Sequence, residues 1–335
     1  MSQASFNQKI QYGPEASAYG TETAAYTELF RVTSINMAAN NNFIYDRGLG
    51  EGLNIINTYF GPFDASGSVG YDVVDFNFLR HWIGDQSGAG TAGDPYILTE
   101  ATKISAEAET ATVLQPFSIE SVNDTQAAKS VDIMTGCVGT TFSLSGSIGS
   151  KLTCSANFVG QKMGYRATGT TYTPVFSTAL VMINGTWKWG ATPTTISGVR
   201  SFTLNYANGL VLDTRSIESR FLGKPEMGQR LYNGTVTIIM GTALATTIIN
   251  NFYGKLDSSL YTPETGSVSI TPTADLEFKI EFVSGVTSAN IWLDQCSIDN
   301  ISKSVSLGGG LVLLTFAFTA KYGRSYIPIS WWATA

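Results

Sequence analysis

Val32-Thr33-Ser34-Ile35-Asn36-Met37 reads against Val199-Arg200-Ser201-Phe202-Thr203-Leu204 further along the chain. From 32 to 199 is an offset of 167. The same offset carries Asn41 onto Asn208, Asp46 onto Asp213, Glu51 onto Glu218, Gly61 onto Gly228, Gly67 onto Gly234 and Val69 onto Val236 without a gap. Between these identities apolar positions meet apolar positions: Met37 with Leu204, Phe43 with Leu210, Ile44 with Val211. Later the offset falls to 159, where Cys137 lies over Cys296, Lys162 over Lys321 and Gly164 over Gly323, so the second copy is eight residues shorter. One fold used twice suits a molecule that presents the same surface more than once, which is commoner in building blocks than in enzymes.

The local pattern of both copies is that of strands. Ile35, Met37 and Ala39 alternate with Ser34, Asn36 and Ala38, and Phe202, Leu204 and Tyr206 with Ser201, Thr203 and Asn205. Leu276, Phe278, Ile280 and Phe282 alternate with Glu277, Lys279 and Glu281; Val236, Ile238 and Met240, then Leu314, Phe316 and Phe318, continue the period of two. That period belongs to a strand with one buried and one wet face. One short helix per copy is expected. Asp75 caps a turn starting at Phe76; Phe78, Leu79, Trp82 and Ile83 share a face; Gly84 ends it. In the second copy Thr242 is the cap, Leu244, Ile248 and Phe252 form the face, and Gly254 is the stop. The fold class is therefore mainly β: two tandem antiparallel β-sandwich domains, each with one flanking short α-helix.

The expected divisions are an N-terminal arm (1–27), a first copy (28–166) with a long insert (85–130), a linker or hairpin (167–196) carrying Trp187-Lys188-Trp189, a second copy (197–324) and a tail (325–335). Residues 46–63 and 213–230 are long segments of poor periodicity, one per copy. Loops of that length are usually functional or disordered, and Ile55, Ile56, Tyr59 and Phe60 argue against disorder.

Composition narrows the function classes. Charged residues are only 14% of the 335, well below the usual quarter, and Ser, Thr, Asn and Gly take their place, as in a β-rich molecule largely covered by neighbours. The net charge of −6 and the lack of a basic run argue against tight nucleic-acid binding. No apolar run reaches the ~20 residues of a membrane helix. The first residues lack the basic and apolar regions of a signal peptide. Three cysteines without metal spacing read as free thiols in a reducing cytoplasm. His81 is the only histidine and sits inside the predicted helix, so Ser-His-Asp chemistry would hang on it alone. Nothing suggests a cofactor or a metal, and the chain reads as a non-enzyme.

The order of these pieces resembles the tail tube proteins of tailed viruses. The resemblance rests on Tyr19-Gly20-Thr21-Glu22-Thr23, the strand from Arg31 to Met37, the Asp46 loop, Ser66-Gly67-Ser68-Val69 leading into the helix from Asp75, and late strands ending at Gly164 and Gly323. It implies subunits that contribute strands to an intersubunit β-barrel, and, for a duplicated member, trimeric rings with six pseudo-equivalent domains stacked into a tube. It also implies self-association, tape measure and tail-end proteins as partners, double-stranded DNA as transient cargo, and a place in the virion tail after assembly in the host cytoplasm.

Candidate contacts between rings or subunits are Asp46, Arg47, Glu51, Ile55, Ile56, Tyr59 and Phe60 in the first loop. In the second they are Asp213, Arg215, Glu218, Arg220 and Phe221. The alternative for both loops is folding back onto their own domain. The arm and the Trp331-Trp332 tail either clip neighbouring subunits or pack locally. A different function is also open: a carbohydrate-binding or adhesive pair of sandwiches, with Tyr and Trp stacking on sugar faces.

Overall fold

The computed structural model describes residues 8–15, 18–46, 55, 57–101, 103–105, 113–123, 130–166, 178–190, 194–212, 214–241, 277–284, 287–293, 296–305, 311–320 and 329–333. It is mainly β. The strands are β1 (Gln8–Pro14), β2 (Thr27–Glu28), β3 (Val32–Asn40), β4 (Ile44–Asp46), β5 (Asn57–Tyr59) and β6 (Asp64–Asp72). A 3-10 turn (Asn77–Leu79) and α1 (Arg80–Ile83) follow. Next come β7 (Gly84–Ser87), β8 (Tyr96–Glu100), β9 (Lys103–Ile104), β10 (Val113–Leu114), β11 (Phe117–Asn123), β12 (Ser130–Ser147), β13 (Thr153–Gly160) and β14 (Lys162–Arg166). The remainder are β15 (Gly185–Gly190), β16 (Thr194–Ile196), β17 (Val199–Ala207), β18 (Leu231–Ile239), β19 (Glu277–Ser284), β20 (Thr287–Leu293), β21 (Cys296–Val305), β22 (Val312–Ala320) and β23 (Ile329–Ala333).

Eight strands run side by side, each antiparallel to the next, in the order β3-β6-β13-β12-β17-β18-β22-β21. The first four and the last four share order, register and irregularities. In β3–β6, Ser34 faces Gly70 after a bulge that follows Val32; in β17–β18, Ser201 faces Thr237 after a bulge that follows Val199. The β12–β13 register breaks between Gly139 and Thr141, and the β21–β22 register between Ile298 and Asn300. Gly67 pairs with Phe158 and Gly234 with Phe318. A β-carbon at Gly67 would lie 2.4 Å from Phe158 Cζ, and one at Gly234 2.8 Å from Phe318 Cζ, so each glycine leaves room for its cross-strand ring. Phe158 to Phe318 is an offset of 160, one more than the 159 from Cys137 to Cys296. The extra residue therefore enters between β21 and β22, which identity matching at Lys162 and Gly164 did not resolve.

The first four strands lead into the next four through β12, the longest of the described strands. Its C-terminal half pairs with β13 on one side and β17 on the other. Its N-terminal half pairs with β14 and with β11, which carries β1 and then β2. The arm is thus part of the chain's own sheet, and local packing describes β1 and β2. A second sheet has the order β16-β15-β19-β20-β23-β8-β7, drawing strands from the insert, the 185–196 hairpin and the C-terminal end. It packs on the first: Trp187 lies 4.6 Å from Phe202 and Trp189 5.6 Å from Phe316, ring to ring. Two tandem sandwiches were expected; the described strands run as one continuous eight-strand array over a large core cluster, with a smaller cluster of Ala101, Ile104, Leu114 and Val138 beside it. Among the described residues the sheet does not close into a barrel.

The helix of the first copy is short. Asp75 Oδ1 accepts from the Asn77 N–H at 2.9 Å, and Gly84, at φ 152°, ends α1. Its apolar face is wholly buried: Phe78 and Trp82 meet at 4.8 Å and Trp82 reaches Phe117 at 5.6 Å. The Trp82 indole N–H donates to the carbonyls of Thr141 and Asn157. The second expected helix, with Thr242, Leu244, Ile248, Phe252 and Gly254, lies outside the described residues.

Candidate functional site

Three surfaces stand out, and the first is the pair of sheet margins. β3 and β21 end the eight-strand array, and among the described residues each has a partner strand on one side only. A strand margin without a neighbour presents backbone N–H and C=O groups that act as templates for another strand. Ile35 and Met37 on β3 are half-buried, and Val305 on β21 is 70% exposed. Counterparts inside the array are covered: Phe202 and Leu204 are 2% and 1% exposed.

The second surface is the open face of the array. Strand alternation sends Thr153, Ser155 and Asn157 of β13 and Thr141, Ser143 and Ser145 of β12 to this side, away from the core. Thr203 and Asn205 of β17, Asn233, Thr235 and Thr237 of β18, and Thr315 and Thr319 of β22 continue it. None of these named positions is charged; the charges on the same five strands that reach solvent are Asp132, at the N-terminal end of β12 beside β14, and Arg200, in the bulge that opens β17. The side chains bond across strands: Ser143 to Asn205 at 2.8 Å, Asn205 to Asn233 at 3.1 Å, Thr203 to Thr235 at 2.8 Å, Thr237 to Thr315 at 2.9 Å, Asn157 to Thr141 at 2.9 Å. Hydroxyls and amides satisfy one another without fixed charge. Charges stand at the rim, with Asp64 and Asp72 ending β6 and Asp299 in the β21 bulge.

The third surface is made by the two long loops. β4 and β5 form a hairpin carrying Phe43, Ile44, Tyr45, Tyr59 and Phe60, each between 43% and 67% exposed. The second loop crosses over to its base. Arg215 pairs with Asp64 and donates to the Phe63 carbonyl at 3.2 Å. Arg220 bonds Asn41 Oδ1 and stacks 4.7 Å from the Phe60 ring and 5.5 Å from Phe63. Phe63 N–H donates to the Arg220 carbonyl at 2.8 Å, and Phe221 meets Phe63 edge-on at 5.5 Å.

Of the sequence candidates, the structure therefore brings together Phe60, Arg215, Arg220 and Phe221. It leaves Asp46 exposed at the end of β4, Ile55 and Tyr59 exposed, and Glu218 exposed in a turn beside the fully exposed Ile217. Arg47, Glu51, Ile56 and Asp213 lie outside the described residues. Trp331 and Trp332 belong to β23, whose backbone pairs with β20 and β8. Sequence reading missed Phe43, Ile44 and Tyr45; three adjacent apolar residues beside a loop start were the available signal.

Several titratable groups lie inside the molecule. His81 is fully buried, its Nδ1–H donates to the Gln115 carbonyl at 2.8 Å, and burial holds its pKa well below the usual 6.5. Glu15 is buried and accepts from Gly136 N–H at 2.6 Å, Gly20 N–H at 2.8 Å and Ser118 Oγ at 3.0 Å; burial raises its pKa. Arg230 and Glu100 form a buried pair at 3.2 Å, with Tyr232 donating to the same carboxylate. All three cysteines are buried and in no disulfide, and burial pushes the Cys154 thiol up to about 12. Among the described residues no group of three or more His, Cys, Asp or Glu is placed to hold a metal. No described helix is long and apolar enough to cross a membrane.

Residues 5–320 match the family described as phage tail tube protein. A search of curated proteins found no match.

Proposed function

The chain belongs to the phage tail tube protein family, and on that premise we propose that it is the major tail tube subunit, a structural rather than enzymatic protein that closes into rings with copies of itself. The observation that carries this reading is the pair of open margins on one antiparallel array. β21 at one end runs opposite to β3 at the other, so copies set side by side continue the alternation and leave no edge. Three chains would give a barrel of about 24 strands, wide enough for a channel. Two tube domains per chain, 28–166 and 197–324, then make each ring pseudo-sixfold.

In this reading the open Ser/Thr/Asn face lines the channel. An uncharged wall neither holds the phosphates of double-stranded DNA by ion pairing nor repels them strongly. The loops face the ring above or below. There the exposed Ile55, Tyr59, Phe60 and Ile217 supply apolar contact area, with Arg47, Glu51, Ile56, Asp46, Asp213 and Glu218 on the same two segments. Tape measure and tail-end proteins are the further partners, and assembly takes place in the host cytoplasm.

Negative-stain electron microscopy of the purified protein tests the reading. Hollow tubes of stacked threefold rings are expected. A monomer that stays monomeric at high concentration would rule against it.

A further inference from the structure

The chain contains one joint between its two four-strand sets, and that joint is complete. β12 meets β17 with Thr141 opposite Ala207, Ser143 opposite Asn205, Ser145 opposite Thr203 and Ser147 opposite Ser201. β12 is the last strand of the first set and β17 the first of the second. The strands in the same places at the free margins are β21 and β3. Their equivalence rests on shared features: the bulge at Gly139/Thr141 recurs at Ile298/Asn300, and that after Val32 recurs after Val199. Cys137 Sγ bonds the Met134 carbonyl and Cys296 Sγ the Leu293 carbonyl, both at 3.6 Å and both at the offset of 159.

We infer that β21 of one copy pairs with β3 of the next in the register of the β12–β17 joint, with Asn300 opposite Asn40, Ser302 opposite Ala38, Ser304 opposite Asn36 and Val305 opposite Ile35. This rests on the self-assembly reading above and specifies its contact residue by residue. The faces agree in this register. Ser302, Ser304, Ala38 and Asn36 continue the open polar face, as Ser143, Ser145, Asn205 and Thr203 do at the internal joint. Ile301, Val305, Ile35 and Met37 point to the core side, and Val305, exposed in the isolated chain, covers Ile35. A slip of one residue would send these apolar groups to the polar face. Lys303 falls opposite Met37, where its aliphatic stem lies over the thioether and its ammonium stays wet. Asn41 takes the place of Asn208, which at the internal joint donates to the Gly139 carbonyl at 2.8 Å; the matching carbonyl is that of Ile298 in the next copy.

Paired cysteines test the register in assembled tubes. Directly opposite residues fall within disulfide reach, whereas diagonal ones lie about 7–8 Å apart. Ala38→Cys with Ser302→Cys is expected to give oxidised dimers and closed trimers on a non-reducing gel; Ala38→Cys with Ser304→Cys is expected to stay monomeric. The native thiols are buried and contribute little background. Tubes from the unmodified protein with crosslinking only in the shifted pair, or in neither, would overturn the register and leave self-assembly intact. No tubes at all from the unmodified protein would overturn both. Should the cysteine pairs not assemble, Val305→Asp decides: the expected result is an unchanged monomer melting temperature with loss of tubes, and tubes that persist would refute the joint.

Discussion

Asn208 shows how much one side chain can hold. It is fully buried, donates to the carbonyls of Trp82 and Gly139 at 2.8 Å each, and accepts from the Tyr206 hydroxyl. It thereby ties the end of α1 to the first strand of the second set. Asn208→Ala leaves these buried groups short of partners and is expected to cost about 2–4 kcal/mol, read as a lower denaturant midpoint at unchanged slope. His81 offers a pH test. Its folded pKa is depressed, so the unfolded chain takes up its proton first, and the stability His81 contributes above pH 6.5 is lost as pH falls below that value. Glu15 and Asp75, both raised by burial, work in the opposite sense: what they contribute is greatest at acid pH and declines as pH rises. The contrast between wild type and His81→Gln isolates the imidazole. From pH 7 to 5 the wild-type melting temperature should fall more steeply than the variant's.

At the scale of elements, the β4–β5 hairpin is the least explained by the fold of one chain. Its rings are exposed, and only its base is clasped, by Arg215, Arg220 and Phe221 from the second loop. Tyr45→Ser with Tyr59→Ser removes exposed ring area away from the clasp, so folding stability should move by under about 0.5 kcal/mol. In the proposed tube, ring stacking should suffer instead: electron micrographs should show single rings or short stacks of the variant under conditions in which the wild type is expected to give long tubes. The clasp was not legible in the sequence. Both loops read alike as aperiodic segments, and nothing local to either says that Arg220 lies against Phe60 of the other. The α1 face was legible, because Phe78, Leu79, Trp82 and Ile83 repeat at helical spacing and Asp75 and Gly84 bracket them.

For the whole molecule, the open face of the array would line the channel of the proposed tube, and a charge added there tests the assignment. The middle of the face is Ser, Thr and Asn bonded across strands, with Leu231, Leu313 and Ala317 among them and the charges Asp64, Asp72, Asp132 and Asp299 towards strand ends and bulges. Thr235→Lys places an ammonium in the middle of that face. The monomer should fold with a loss of under about 1 kcal/mol, since one cross-strand hydroxyl bond is removed at an exposed site. Tubes should still form. Genome delivery should slow, and slow most at low salt, because the added cations line a path of phosphates; ejection rates measured against ionic strength would show it.

What the sequence by itself determined is local or repetitive. The period of two marked the strands and told their wet faces from their dry ones, and the gapless offset of 167 aligned β3 with β17 and β6 with β18 before any pairing was known. Alternation is a property of each strand alone, set by side chains pointing to opposite faces. The tertiary structure decided which strands lie side by side. It placed β12 against β17, gathered the insert, the 185–196 hairpin and β23 into a second sheet, and left β3 and β21 as the margins. Ser- and Thr-rich strands of similar length bond almost equally well to many neighbours. The choice among them is made by distant rings such as Trp187 on Phe202 and Trp189 on Phe316, whose burial requires one particular layering of the sheets.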